Sequence, residues 1–264
     1  TSSGIILAAD SIDWRSGDNV VTVEGEFPAN VYPWLSKERI GVRTKFVLRR
    51  EGRISVEDLE KAIDDRTRAL ALSFVQFING FRSDMKTIGE ICRERGVLFV
   101  VDAIQGLGAL NFDVKEFSVD MMSAGGHKWL MSHSGLGCFY CSKEILSALV
   151  PTNIGWNSVA DYNNYLKYDL ALRPTAGRFE EGSPNVISAS GLSASLDMIF
   201  KLGIENIEKR IIYLTDFLIS KLKGKGYKIV SSLKPEERSG ILSFNSDKYS
   251  TDEIVEILKE KKII

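Results

Sequence analysis

The chain has 264 residues, with 34 Lys and Arg against 35 Asp and Glu for a formal net charge of −1. At that length folding buries roughly 70% of the unfolded surface without disulfide or metal staples, and scattered, balanced charge predicts neither a nucleic-acid partner nor a membrane surface. Hydrophobic residues at 44%, with 6 Pro and 22 Gly, exclude a disordered or fibrous chain.

The chain opens Thr1-Ser2-Ser3-Gly4, three hydroxyl side chains before an apolar stretch at 4–10, which is an N-cap signal for a helix. Residues 19–23 and 42–48 alternate as strands do. Ser55, with Asp58 three residues on, opens a helix running through Lys61. Residues 69–75 form a continuous apolar run of strand length, as in a sheet covered on both faces. Helical spacing over 85–95 and a second apolar run at 97–101 complete a βαβ unit. Further strands are expected at 121–123 and 137–140, and irregular surface over 151–185. Helices follow at 187–202 and 204–224, then strands at 227–231 and 240–244 and a helix over 251–262. The division expected is a large domain over 1–203 and an α+β small domain over 204–264.

Three cysteines, Cys92, Cys138 and Cys141, give an odd count with one isolated C-x-x-C spacing, which fits a reduced, cytoplasmic protein. No apolar run approaches the ~20 residues that span a bilayer. The chain lacks an initiating Met and stops at Lys262-Ile263-Ile264 within a structural unit, so one or both ends of the natural protein are expected to lie outside it.

Four features carry chemistry. Asp102 follows a buried strand, and ligands of parallel α/β sheets sit at strand carboxyl ends; alone, a helix cap or solvated turn explains it more simply. Gln105 lies three residues on and says little by itself. In Ser123-Ala124-Gly125-Gly126-His127-Lys128-Trp129, small residues admit close backbone approach, and a lysine held in a site can form a Schiff base with an aldehyde. Thr1 and Ser2 at a helix start make either an ordinary cap or an anion site. Together a strand-end acid, a lysine and a hydroxyl-rich helix start suit an aldehyde cofactor with a phosphate tail and a basic ring nitrogen. No G-x-G-x-x-G or G-x-x-x-x-G-K-[ST] occurs, which weakens a nucleotide-binding alternative.

Val101-Asp102-Ala103-Ile104-Gln105 followed by Ser123-Ala124-Gly125-Gly126-His127-Lys128 resembles the pyridoxal-phosphate site of the class V aminotransferases, the group that includes cysteine desulfurases and isopenicillin-epimerase-like enzymes. The segments Gly25-Glu26-Phe27-Pro28-Ala29-Asn30-Val31-Tyr32-Pro33-Trp34 and Phe179-Glu180-Glu181-Gly182-Ser183-Pro184-Asn185 resemble two more stretches of that family, in the expected order. The resemblance implies an α/β fold of the type I, aspartate-aminotransferase-like class, with a mostly parallel sheet in the large domain and part of an α+β small domain. It implies pyridoxal 5'-phosphate as cofactor and an amino acid as substrate. Lys128 would hold the aldehyde as a Schiff base and carry the substrate α-proton, Asp102 would keep the pyridine nitrogen protonated, and Gln105 would hydrogen-bond the ring hydroxyl. Thr1, Ser2 and His127 would bind the phosphate, joined by Ser183 from the neighbouring subunit of a homodimer, and Phe27 would stack on the ring.

The departures from the family pattern bear on reaction type. Desulfurases typically have histidine where Phe27 stands, a phosphate-binding serine is replaced by Gly125, and Phe77 occupies the place of an asparagine, with Gln76 as its substitute. The family's substrate-carboxylate arginine and the persulfide cysteine of desulfurases would lie beyond Ile264. Transamination is therefore the expected reaction, with desulfuration, lysis or epimerisation, or a non-catalytic binding role, as the alternatives.

Overall fold

Side-chain alternation along four buried strands decides which helices cover which face. A computed structural model describes residues 1–263, with elements α1 (Ser2–Ser11), β1 (Asn19–Val23), α2 (Tyr32–Leu35), β2 (Arg43–Val47), α3 (Val56–Ala62), β3 (Thr67–Ser73), α4 (Met85–Arg95), β4 (Leu98–Asp102), β5 (Met121–Gly125), β6 (Gly137–Cys141), α5 (Val186–Leu202), α6 (Ile204–Gly224), β7 (Lys228–Ile229), β8 (Phe244–Asn245) and α7 (Thr251–Glu260). Val20, Ala69, Ala71, Val100 and Met121 point to the side where Ile5, Ala8 and Ala9 of α1 and Trp34 of α2 pack. Val21, Val23, Leu70, Leu72, Phe99, Val101 and Met122 point to the other, against Leu59 of α3 and Ile88 and Cys92 of α4. Burial on both sides is why these strands read as unbroken apolar runs.

The sheet order is β2-β1-β3-β4-β5-β6. The first four pairings are parallel and β6 runs antiparallel to β5. The chain leaves β1 toward β2 on one side, then returns to place β3 on the other. That reversal is a topological switch point, where the loops after β1 and β3 part and open a crevice at the strand carboxyl ends.

Local chemistry sets the element ends. Asp84 caps α4 by accepting from Thr87 N–H at 3.1 Å, and Gly96, at φ 64°, ends that helix in the left-handed region. Ser55 caps α3 by accepting from Asp58 N–H at 3.2 Å, as its spacing predicts. The sequence places a strand over 240–244, whereas β8 is only Phe244–Asn245. The reason is that hydroxyls of this layer bind the loop after β3: Ser231, Ser239 and Ser243 donate to the carbonyls of Asn79, Gly80 and Ile78 at 2.6, 2.7 and 2.8 Å. The four-residue α2, absent from the sequence reading, starts with Pro33 in its first turn and is anchored by fully buried Trp34. Among the described residues no single helix is long and apolar enough to cross a membrane.

Candidate active site

Asp102 ends β4 and is 2% exposed. One carboxylate oxygen accepts from Ile104 N–H at 2.9 Å. Burial pushes its carboxyl up to about 7 from an ordinary 3.8; the Ile104 hydrogen bond opposes this, the neighbouring Glu26 charge adds to it, and the charge of Lys128 opposes it. Among the described residues no cation lies within ion-pair distance of Asp102. It is a carboxyl buried by the fold and left for something else to neutralise.

Lys128 stands three residues after β5, in a turn supported by hydrogen bonds from Ser132 N–H to Gly126 O at 2.8 Å and Met131 N–H to Lys128 O at 2.9 Å. Its Nζ lies 6.0 Å from the centre of the Phe27 ring, within cation–π reach. Phe27 comes from the loop after β1 and meets Phe77, from the loop after β3, edge to face at 5.3 Å and 83°. Phe27 is 46% exposed, so its ring is accessible beside the lysine. The switch point of the sheet is what brings these two loops together.

The start of α1 reaches the same end of the sheet because Gly4 lets the helix lie directly on β5. A side chain at Gly4 would bring its Cβ to 2.7 Å from Ser123 Cβ, and Ser123 Oγ donates to the Thr1 carbonyl at 3.0 Å. Thr1 occupies the cap position, yet its hydroxyl makes no capping bond and is buried without a partner. Ser2 is exposed in the first turn. His127, also exposed, lies against Gly125, whose added Cβ would stand 2.9 Å from the imidazole Cε1. Gln105 is half-buried in the turn after β4. Ser183 lies exposed in the irregular 180–185 segment, and among the described residues no hydrogen bond joins it to Asp102, Gln105 or Lys128. Asp102, Lys128, Phe27 and Thr1 are thus brought to one end of the sheet, while Ser183 is not tied to them within one chain.

One residue of this neighbourhood escaped the sequence reading. Glu26 is 5% exposed and accepts from Ser73 N–H at 2.7 Å, from Ser73 Oγ, and from Gln76 Nε2 at 2.7 Å. The rule that singled out Asp102, an acid just past the carboxyl end of a buried strand, applies equally to Glu26 beyond β1. A cavity of about 910 Å3 lies elsewhere, between 50–57 and 81–88, with paired charges such as Arg53 and Glu237 on its walls.

This α/β fold, with its mostly parallel six-stranded sheet, is that of pyridoxal-phosphate-dependent type I transferases, and solved structures share it. A cysteine desulfurase from Thermococcus onnurineus NA1 superposes with a TM-score of 0.90 at 26% identity, covering 100% of this chain and 66% of that one. The cystine C-S lyase C-DES, in complex with its product cysteine persulfide, superposes at 0.89 with 23% identity over 99% of this chain and 71% of its own, a likeness of fold. A probable cysteine desulfurase of Methanothermobacter thermautotrophicus is 31% identical over 264 residues, 98% of this chain and 64% of the relative. An uncharacterized aminotransferase of Bacillus subtilis is 27% identical over 100% of this chain and 68% of its own length. The chain therefore spans somewhat under two thirds of the first of these curated relatives. The aminotransferase class-V family model matches residues 1–264, and the chain belongs to that family.

Proposed function

We propose that this protein is a pyridoxal-phosphate-dependent enzyme acting on an amino acid, with transamination as its reaction. The observation that carries this reading is that buried, unpaired Asp102 ends β4 at the same end of the sheet at which Lys128 faces the Phe27 ring. The donor set suits the cofactor: Thr1 Oγ1 at the start of a ten-residue helix is a buried hydroxyl without a partner, fit for a phosphate oxygen, and Asp102 is a carboxyl that a ring N–H⁺ would satisfy. Pyridoxal phosphate, when bound, supplies an aldehyde and a protonatable ring that draws electrons from the substrate α-carbon.

The chain's residues then divide the work. Lys128 Nζ would hold the cofactor aldehyde and, as the one mobile base of the set, would carry the substrate α-proton. Asp102 would hold a proton on the ring nitrogen, and Phe27 would stack on the ring. Gln105 would hydrogen-bond the ring hydroxyl, while Thr1, Ser2 and His127 would hold the phosphate. We propose further that the working unit is a homodimer in which Ser183 completes the partner's phosphate site, supported by the exposed aromatic stretch from Trp156 to Tyr168, and that the domain division falls at Gly203, where α5 and α6 meet at 81°.

A second reading, cysteine desulfuration, is favoured by relatives that are probable cysteine desulfurases. Against it stands Phe27, which has no titratable nitrogen; the three thiols of this chain, raised by burial, with Cys92 pushed up to about 12 and Cys141 to about 11, are not at the position of the family's persulfide cysteine. Borohydride reduction in the presence of pyridoxal phosphate, followed by peptide mapping, tests the assignment; label on a lysine other than Lys128 refutes it. Assays of 2-oxo acid from amino-acid donors and of sulfide from cysteine separate the reactions, with 2-oxo acid expected and rapid sulfide release contradicting transamination.

A further inference from the structure

The loops after β1 and β3 diverge at the switch point, yet two layers of contact join them. Below, the buried Glu26 carboxylate accepts three hydrogen bonds, two from Ser73 and one from Gln76. Above, the residues next in sequence, Phe27 and Phe77, meet edge to face. Gly25, at φ 76°, supplies the left-handed turn that points Glu26 inward, and a side chain there would collide with the Arg49 guanidinium. Gln76 is fully buried, and its Nε2 must face Glu26 because a carboxylate only accepts. The loop's far side is held by the three serine hydroxyls bound to the carbonyls of 78–80.

We propose that Glu26 is a positioning residue of the active site: its carboxylate clamps the two loops together and thereby holds Phe27 and Phe77 as one aromatic wall opposite Lys128. This rests on the pyridoxal-phosphate reading only in that the wall is where the cofactor ring would lie. The clamp has an electrostatic consequence. Ser73 is the register partner of Asp102 across β3 and β4, so the clamp sets a second carboxylate beside Asp102, where it reinforces the upward push of burial against the opposing charge of Lys128.

Two variants separate clamp from charge. Glu26→Gln keeps the side-chain size, removes the charge and turns an amide donor toward Ser73 and Gln76; Gln76→Met cuts one clamp bond and leaves the charge. In the unloaded protein, carrying 19F-labelled phenylalanine and 13C-labelled aspartate, both variants are expected to shift and narrow the Phe27 and Phe77 signals, while only Glu26→Gln lowers the titration midpoint of Asp102. Both are expected to weaken pyridoxal-phosphate binding at least tenfold. Wild-type phenylalanine signals in both variants overturn the proposal, even if the cofactor binds normally. Loosened signals in a protein that binds no pyridoxal phosphate leave the clamp standing and refute the cofactor reading instead.

Discussion

Replacing Asp102 with Asn probes the site without any ligand. Asn keeps an acceptor for Ile104 N–H and nearly the same volume, so the change removes little besides the ionisable proton. The folded carboxyl titrates at about 7 and the unfolded one near 3.8, a difference equivalent to about 4 kcal/mol. Because the folded pKa is raised, the folded state holds its proton longer than the unfolded state. Stability from this group is therefore fully present below about pH 4 and is lost as pH rises through about 7. Asp102→Asn escapes that loss, so its stability relative to wild type is expected to grow by about 3 kcal/mol between pH 5 and pH 8. For a chain of this size that is a gain of roughly 5 °C in Tm relative to wild type. Calorimetry or thermal fluorescence of both unloaded proteins at the two pH values reads it directly. Parallel stability profiles would show that the carboxyl is ionised and solvated in the folded state, and the argument that burial leaves it for a cation to neutralise would fail. With pyridoxal phosphate bound the preference should reverse, wild type then being stabilised more by the cofactor than Asp102→Asn.

Three other outcomes are expected. The raised thiols should react slowly with a disulfide reagent at pH 8 in the native protein and yield three equivalents only after unfolding; rapid native labelling of Cys92 would contradict its burial. Gly4→Ala should push α1 off β5, costing about 1–3 kcal/mol in urea unfolding and weakening phosphate binding at the helix start, whereas a neutral result would mean that Ser123 rotates away freely. Ser55→Ala should cost about 1 kcal/mol by removing the cap of α3, read by the same unfolding curves, and an unchanged midpoint would show that the helix is held by Leu59 packing alone.

Much of the fold was legible in the chain because its signals are local. Apolar runs at 69–75 and 97–101 report strands buried on both faces, and Ser55 and Gly96 mark helix ends through bonds made within a few residues. The strand expected at 240–244 is shorter in the fold, at Phe244–Asn245, and the contacts of its neighbourhood are distant ones: Ser243 donates to the carbonyl of Ile78, 165 residues away, which no local pattern announces. Asp102 and Lys128 stood out as a strand-end acid and a lysine in a glycine-rich turn, and the family resemblance supplied their expected roles.

What the sequence determined by itself was therefore the alternation, the caps and the set of reactive groups, since each depends on neighbours within a turn or a strand. The tertiary structure alone decided which of those groups meet. Phe27 and Phe77 are fifty residues apart and touch only because the sheet reverses between β1 and β3. Glu26 becomes a buried neighbour of Asp102 only once β3 lies between their two strands. Burial, and with it the raised carboxyl of Asp102, is a property of what the fold packs around a residue, which no spacing along the chain encodes.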